Sequence, residues 1–274
     1  MRIGSEVKAY KTKTKAILWL HLVRLERYKY GFLNMILTNM LWYMLFLLGA
    51  LMFIPEGEFQ LFAIITFWGV VLWSMMNNSV WLIAGWTWFV IATGIIEEHI
   101  VCGVNPLALI MGRFVTGFTV SLIAIPIIAL VFTGLAGLAL FNIYSIVFLL
   151  LGIGLLLAYS SLYAIVLAAL SLRTHVPGVM LDIVNIFMYI IGGIGVPVSR
   201  MPSGLREIAL LLPYTHAAEL TRYGAVGLEP YIGIATEVIV SILYLLLMAT
   251  IAYIVVKRVE EYIKKHGVKG VGRM

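Results

Sequence analysis

The sequence predicts an all-α integral membrane protein: six transmembrane helices, preceded by an amphipathic helix that lies in the membrane interface. Three observations carry that prediction. Of the 274 residues 62% are hydrophobic and only 12% charged, where ordinary soluble domains hold about 45–50% apolar and about 25% charged residues. Mean hydropathy is +1.04, and the apolar residues come in blocks that reach the roughly 20 needed to cross a bilayer. The bases crowd the two ends: eight of the 19 Lys and Arg lie in residues 1–29, six in 257–274, and five between. Basic ends of this kind hold a polytopic chain at an anionic membrane face. A soluble enzyme is excluded, as is a disordered chain, which needs low hydrophobicity. The net charge of +6 therefore reads as orientation in the bilayer, not as a footprint for nucleic acid. Cys102, the single cysteine, can form neither an internal disulfide nor a cysteine-based zinc site.

Taken in order, residues 1–30 form a cytoplasmic basic tail and the interfacial helix. Leu18, Trp19, Leu22, Val23 and Leu25 gather on one side of a helical wheel, and His21, Arg24 and Arg27 on the other, with Leu20 and Glu26 as exceptions. An apolar face beside a basic one suits the headgroup region. The spans follow at 31–54, from about 59 to at least 82, and at about 113–133, 143–169, 176–197 and 231–256. The first ends at Pro55, and Pro126 predicts a kink in the third. The first run is too long for a cleavable signal peptide and follows a basic segment.

Val80 to Ile96 is apolar enough to be a separate span after Asn77, Asn78 and Ser79, and seven spans would put six bases of the C-terminal end outside. Six spans leave 16 bases inside and only Arg200, Arg206 and Arg222 outside, as the positive-inside rule favours. A helix unbroken from Phe59 to Ile96 would be about 57 Å long, so its end would project into the cytosol or lie along the interface.

Common catalytic patterns are missing. There is no G-x-x-x-x-G-K-[ST] phosphate loop, no H-E-x-x-H and no G-x-S-x-G. His21, His99, His175, His216 and His266 are far apart in sequence, so no metal site is proposed. Ionisable groups at membrane depth are functional candidates by default. Here they are few: Asp182 with Asn185 in the fifth span, Asn77 and Asn78 in the second, Glu237 at the start of the sixth. Hydrogen bonding between helices is the plainer role for a single Asn. No chain of carboxylates appears, which disfavours ion-coupled transport. Gly152, Gly154, Ala164 and Ala168 in the fourth span, and Gly192, Gly193 and Gly195 in the fifth, are places where helices can approach closely.

Two stretches carry more. Glu97-Glu98-His99 is followed by Gly103-Val104-Asn105-Pro106-Leu107 and by Met111-Gly112-Arg113. Farther on, Gly192-Gly193-Ile194-Gly195-Val196-Pro197-Val198-Ser199 leads to Met201-Pro202, Leu211-Leu212-Pro213-Tyr214-Thr215 and Leu220-Thr221-Arg222-Tyr223. Together with Gly69-Val70-Val71-Leu72-Trp73-Ser74 they resemble the membrane (permease) subunits of ABC-2 type ATP-binding-cassette exporters, in order and topology along the whole chain. Where that family usually has Gly-Thr-Leu-Glu after the acidic pair, this chain has His99-Ile100-Val101-Cys102.

The resemblance implies one permease domain over 1–274. Its six-span core would cover 31–256, with a cytoplasmic coupling segment near 94–112, an extracellular re-entrant segment at 198–230, and a basic tail at 257–274. The re-entrant reading also has a physical ground, because 33 residues containing the apolar run Ile208–Leu212 would make an odd free loop. Glu97, Glu98, His99, Asn105 and Pro106 would contact a separate ATPase subunit. That subunit would hold the ATP and Mg; this chain would bind no cofactor and would not be an enzyme by itself. The permease would pair with itself or with a second permease, with both termini cytoplasmic in the cell membrane, and export a drug, lipid or glycolipid. Asn77, Asn78, Asp182, Asn185 and Tyr189 are the expected wall of the substrate pathway. The alternatives are an ion-coupled transporter or channel resting on Asp182, Asn185 and the Asn77–Asn78 pair, and a membrane enzyme resting on His175 and Asp182.

Overall fold

A computed structural model describes residues 2–52, 59–102, 104, 106–136, 142–173 and 179–266; they are mostly helical, with no strand among them. Pro55, Gly103, Asn105, His175, Lys269 and Arg273 lie outside the described residues. Helix α1 covers Arg2–Arg27, α2 Lys29–Leu51 and α3 Phe59–Val80. A π-helical turn, Trp81–Gly85, joins α3 to α4 (Trp86–Ala92), and α5 (Ile95–Val101) precedes α6 (Pro106–Ala136). Then come α7 (Ile146–Arg173), α8 (Val179–Ile190), a 3-10 turn at Val198–Arg200, α9 (Ser203–Leu210), α10 (Pro213–Val226) and α11 (Ile234–His266).

Among the described residues, four stretches are long and apolar enough to cross a membrane: Gln60–Ala92, Ala108–Val131, Ile146–Arg173 and Ile234–His266. The first answers the question raised by Val80–Ile96. The chain does not reverse at Asn77–Ser79; it stays helical to Ala92, and only Thr93 and Gly94 (φ +74°) turn it into α5. α6 continues through Pro126 as one helix, although Pro126 donates no hydrogen bond to the carbonyl one turn back. α11 runs ten residues beyond the expected end at 256, carrying Lys257, Arg258, Lys264 and Lys265 on regular helix, with a Glu260–Lys264 pair at 2.8 Å.

α7 is the centre of the packing, with α10, α11, α3 and α6 around it. Leu156, Tyr159, Ala164, Ala168 and Leu172 are fully buried along it, and the Tyr159 hydroxyl donates to the Ser241 carbonyl of α11 at 2.7 Å. α10 starts with Pro213 at its first turn and stops at Gly227, whose positive φ suits a residue without Cβ. It lies very close to α7. A Cβ at Gly152 would run into Thr221 and Ala217, and one at Gly224 into Leu149. Gly154, two residues on, meets nothing. The small residues expected to allow close approach thus divide: Gly152 is a contact and Gly154 is not.

Two expectations are corrected. The fifth span does not reach 197: α8 ends at Ile190, and Ile191–Val196 follow as turns and bends. The 12 residues of α8 measure about 18 Å, short of a hydrocarbon core of about 30 Å. Gly192, Gly193 and Gly195 cause the stop. Gly193 has φ +68°, and Cβ atoms at Gly192 and Gly195 would strike Met188 and Tyr189. These glycines make a turn, not a helix–helix contact.

The second correction concerns α1. Leu18, Trp19 and Leu22 are exposed, and His21, placed by the wheel on the polar side, is buried against α6. Gly112 is the reason, because it leaves room on α6 for Ile17 and His21. The apolar side of α1 is left facing outward, where lipid can cover it.

Candidate functional site

Three places bring polar groups together within the apolar bundle. The first is α5, a seven-residue helix in contact with both α4 and α6. Ile96 anchors it by burial, which turns Glu97 and Glu98 outward into solvent. His99 is half-buried and faces inward, and the Val104 N–H donates to its carbonyl at 2.8 Å. Asn105 lies outside the described residues. Pro106 is the first residue of α6, where a missing N–H costs nothing.

Behind α5 is a cavity of about 270 Å³ lined by His21, Arg24, Trp86, Ile95, Ile96, His99 and Arg113, among others. Arg113 is 3% exposed, and its Nε and Nη1 have no hydrogen-bond partner. Its guanidinium lies 4.0 Å from the centroid of the Trp86 ring, and that of Arg24 lies 4.6 Å from the same ring.

The second place is the seam between α3 and α8. Asn185 Nδ2 donates to Asn77 Oδ1 at 3.2 Å, and Trp81 Nε1 donates to Asp182 Oδ1 at 3.0 Å. Tyr189 packs against Trp73 with ring centroids 5.8 Å apart. Four of the five residues expected in the substrate pathway (Asn77, Asp182, Asn185, Tyr189) therefore meet along one seam. Asn78 is buried and donates to Ser74 Oγ one turn back on α3 at 3.4 Å.

The third place joins the turn after α8 to α10. Arg222, 1% exposed, donates through Nη1 to Glu219 Oε1 at 2.9 Å and through Nη2 to the carbonyls of Gly193 and Ile194. Glu219 Oε1 also accepts the Val198 N–H at 3.3 Å. The Thr215 hydroxyl reaches the Gly192 carbonyl at 2.9 Å. One buried ion pair thus satisfies the backbone of a turn that helix geometry no longer serves. Beside it, His216 Nδ1 sits 2.9 Å from Glu237 Oε1, tying α10 to the start of α11.

A model of the ABC-2 type transporter family matches residues 12–226. The chain belongs to that family. The match runs from within α1 to the last residue of α10 and takes in all three polar places. No curated protein matches the chain. This ABC-2 chain is accordingly the membrane subunit of an ABC transporter: a multi-pass membrane protein and a transport component that is not itself catalytic. Among its described residues no group of three or more His, Cys, Asp and Glu could hold a metal ion.

Sequence reasoning missed the roles of His21, Arg113, Arg222, Glu219 and His216. Arg113 carried a signal, being the only Lys or Arg between residues 30 and 172 and lying inside an apolar run. Arg222 carried less, since a polar segment surrounds it.

Proposed function

We propose that this chain is the permease of an ATP-driven exporter of a hydrophobic or amphipathic substrate (a drug, lipid or glycolipid), energised by a separate ABC ATPase that docks on α5. The observation that carries the reading is α5 itself: a short helix between two spans, with Glu97 and Glu98 turned to solvent. Exposed carboxylates on a rigid, anchored helix suit a basic groove on a partner. α2 and α8 would complete six spans. α9 and α10 would form the re-entrant segment, with both termini cytoplasmic in the cell membrane. Two permeases, identical or paired with a second kind, would enclose one pathway beside the α3–α8 seam. ATP and Mg would sit on the partner, whose closure would push α5 and tilt the α3–α4 helix.

The ion-coupled reading has no observation in its favour, since Asp182 is held by Trp81 and Asn185 by Asn77. The test is co-purification with the ATPase encoded nearest to this chain, followed by ATPase measurement in lipid vesicles. Glu97→Ala with Glu98→Ala is expected to abolish the complex or its substrate-stimulated turnover while leaving stability within about 0.5 kcal/mol, as for exposed positions generally. Unchanged coupling would sink the docking role. Transport driven by an ion gradient alone would sink the ATP-driven one.

A further inference from the structure

Among the described residues the cavity behind α5 is lined by cationic side chains and by no carboxylate. Arg24 and Arg113 share one face-on contact region at Trp86. The ion pairs formed among the described residues, His216–Glu237, Arg222–Glu219 and Lys264–Glu260, involve neither of them. Two guanidinium groups that repel each other, one of them buried with two unpartnered nitrogens, are costly unless an anion joins them. His21 is 2% exposed, and its ring nitrogens make no well-formed hydrogen bond.

The surroundings say what kind of anion. A second, larger cavity of about 510 Å³ shares Arg24, Tyr28, Trp86, Phe89 and Arg113 with the first, and continues along Gly31, Phe32, Met35, Trp81 and Leu82. Its far wall is apolar. The paired cavities therefore present a cationic head next to a greasy trough. They sit where α6 enters its apolar stretch at Ala108 and beside the outward apolar side of α1. The start of such a stretch is where headgroups would meet the chain, and basic pockets between helices at that level recognise phosphate. The π-helical turn supplies the shape: Trp81 and Leu82 line the trough, Gly85 leaves room for the Trp81 ring, and Trp86 follows under the two arginines.

We propose that this pocket binds one anionic phospholipid of the surrounding membrane, its phosphate bridging Arg24 and Arg113 over Trp86 and an acyl chain lying along Phe32, Met35 and Leu82. A phosphate presents several acceptor oxygens and can take both guanidinium groups at once. Without it His21 is neutral: burial first, and then the charges of Arg113 and Arg24, lower its pKa to about 4 against the opposing Leu109 backbone. Because Ile95, Ile96 and His99 of α5 line the same cavity, the lipid would touch the helix on which the ATPase is proposed to dock. The inference goes beyond that docking and does not need it, since the test uses this chain alone.

The experiment is native mass spectrometry of the full chain in delipidated micelles, titrated with dioleoylphosphatidylglycerol, dioleoylphosphatidylcholine or inorganic phosphate. One phosphatidylglycerol per chain should bind saturably and about tenfold or more tighter than phosphatidylcholine, the worth of one charge-assisted contact. R113Q and R24Q should each weaken it by a similar factor, whereas R27Q, on α1 but outside both cavities, should not. Arg24 is on the surface helix, so R24Q tests the site even if R113Q does not fold. Equal binding of the two lipids, unchanged binding in R24Q, or an equal loss in R27Q would overturn the proposal. Inorganic phosphate binding as tightly as the lipid would make this a free-anion site and would overturn the lipid assignment.

Discussion

Arg222 offers the sharpest test of how the fold is held beyond α8. Arg222→Met keeps the bulk of the side chain and removes the guanidinium. Glu219 is then left buried without its 2.9 Å partner, and the carbonyls of Gly193 and Ile194 lose their donor. Breaking a buried ion pair from one side costs about 3–5 kcal/mol, and each orphaned carbonyl about 1–3 kcal/mol more. These figures do not add in full, because the freed turn relaxes. A loss of about 4 kcal/mol or more is nevertheless expected, against a total stability of roughly 5–15 kcal/mol. Glu219→Gln in the same background removes the buried charge and should recover part of the loss, leaving Glu219→Gln with Arg222→Met more stable than Arg222→Met alone. The measurement is equilibrium unfolding in mixed micelles, followed by intrinsic tryptophan fluorescence, to which Trp73, packed on Tyr189 at the end of α8, contributes. An Arg222→Met protein that unfolds with the wild type, or a double variant worse than the single one, would refute the account of the turn as held by this pair.

Further outcomes follow from other contacts. Gly224→Ala should destabilise the bundle by about 1–3 kcal/mol, the usual cost of overpacking, because its Cβ meets the Leu149 backbone. Gly154→Ala should be neutral or better, and the same unfolding titration compares them. Asn77→Leu with Asn185→Leu in a double-mutant cycle should give a coupling near 0.6 kcal/mol, as for other inter-helix bonds in membranes; zero coupling would break the seam. In detergent free of anionic lipid, His21 is depressed from about 6.5 to about 4. The unfolded chain then binds the proton first, so stability should fall as pH drops from about 6.5 towards 4 and level off below it. His21→Leu should flatten that limb, and a limb that persists unchanged would remove His21 as its source. Gly112→Val should lift α1 from α6, and thiol labelling of His21→Cys in a Cys102→Ser background would detect the new exposure.

Much of the fold was legible because the bilayer imposes length and polarity on each segment separately. The runs from about 59 to at least 82, and at 113–133, 143–169 and 231–256, each met a helix, and the Glu97–Glu98 pair came out exposed, as local composition requires. What failed was whatever depends on a neighbour. A wheel drawn for α1 alone assigned His21 to the wet side, since Gly112 on another helix decides its burial. Gly152 and Gly154 have the same composition and opposite roles, set by where α10 crosses. The Gly192–Gly195 stretch read as span because its hydropathy is high, yet Gly193 φ and the Arg222 donor are tertiary facts. In the seam the polarity of Asn77, Asp182 and Asn185 was visible, but the partners that occupy them were not.

The unbroken helix from Phe59 to Ala92 has a mechanical consequence. At Gly69 it presses on the carbonyl of Ile194, where a Cβ would sit 2.7 Å from the oxygen, and at its other end it adjoins α5. Between those points lie about 35 Å of helix. That rod is a lever with a fulcrum of bare backbone: rotating it by about 5° around Gly69 would carry the Ala92 end through roughly 3 Å. A small angular strain at Gly69 is thereby traded for a displacement the size of a hydrogen bond beside α5, and Gly69, which has no side chain to wedge the pivot, sets how freely the trade is made.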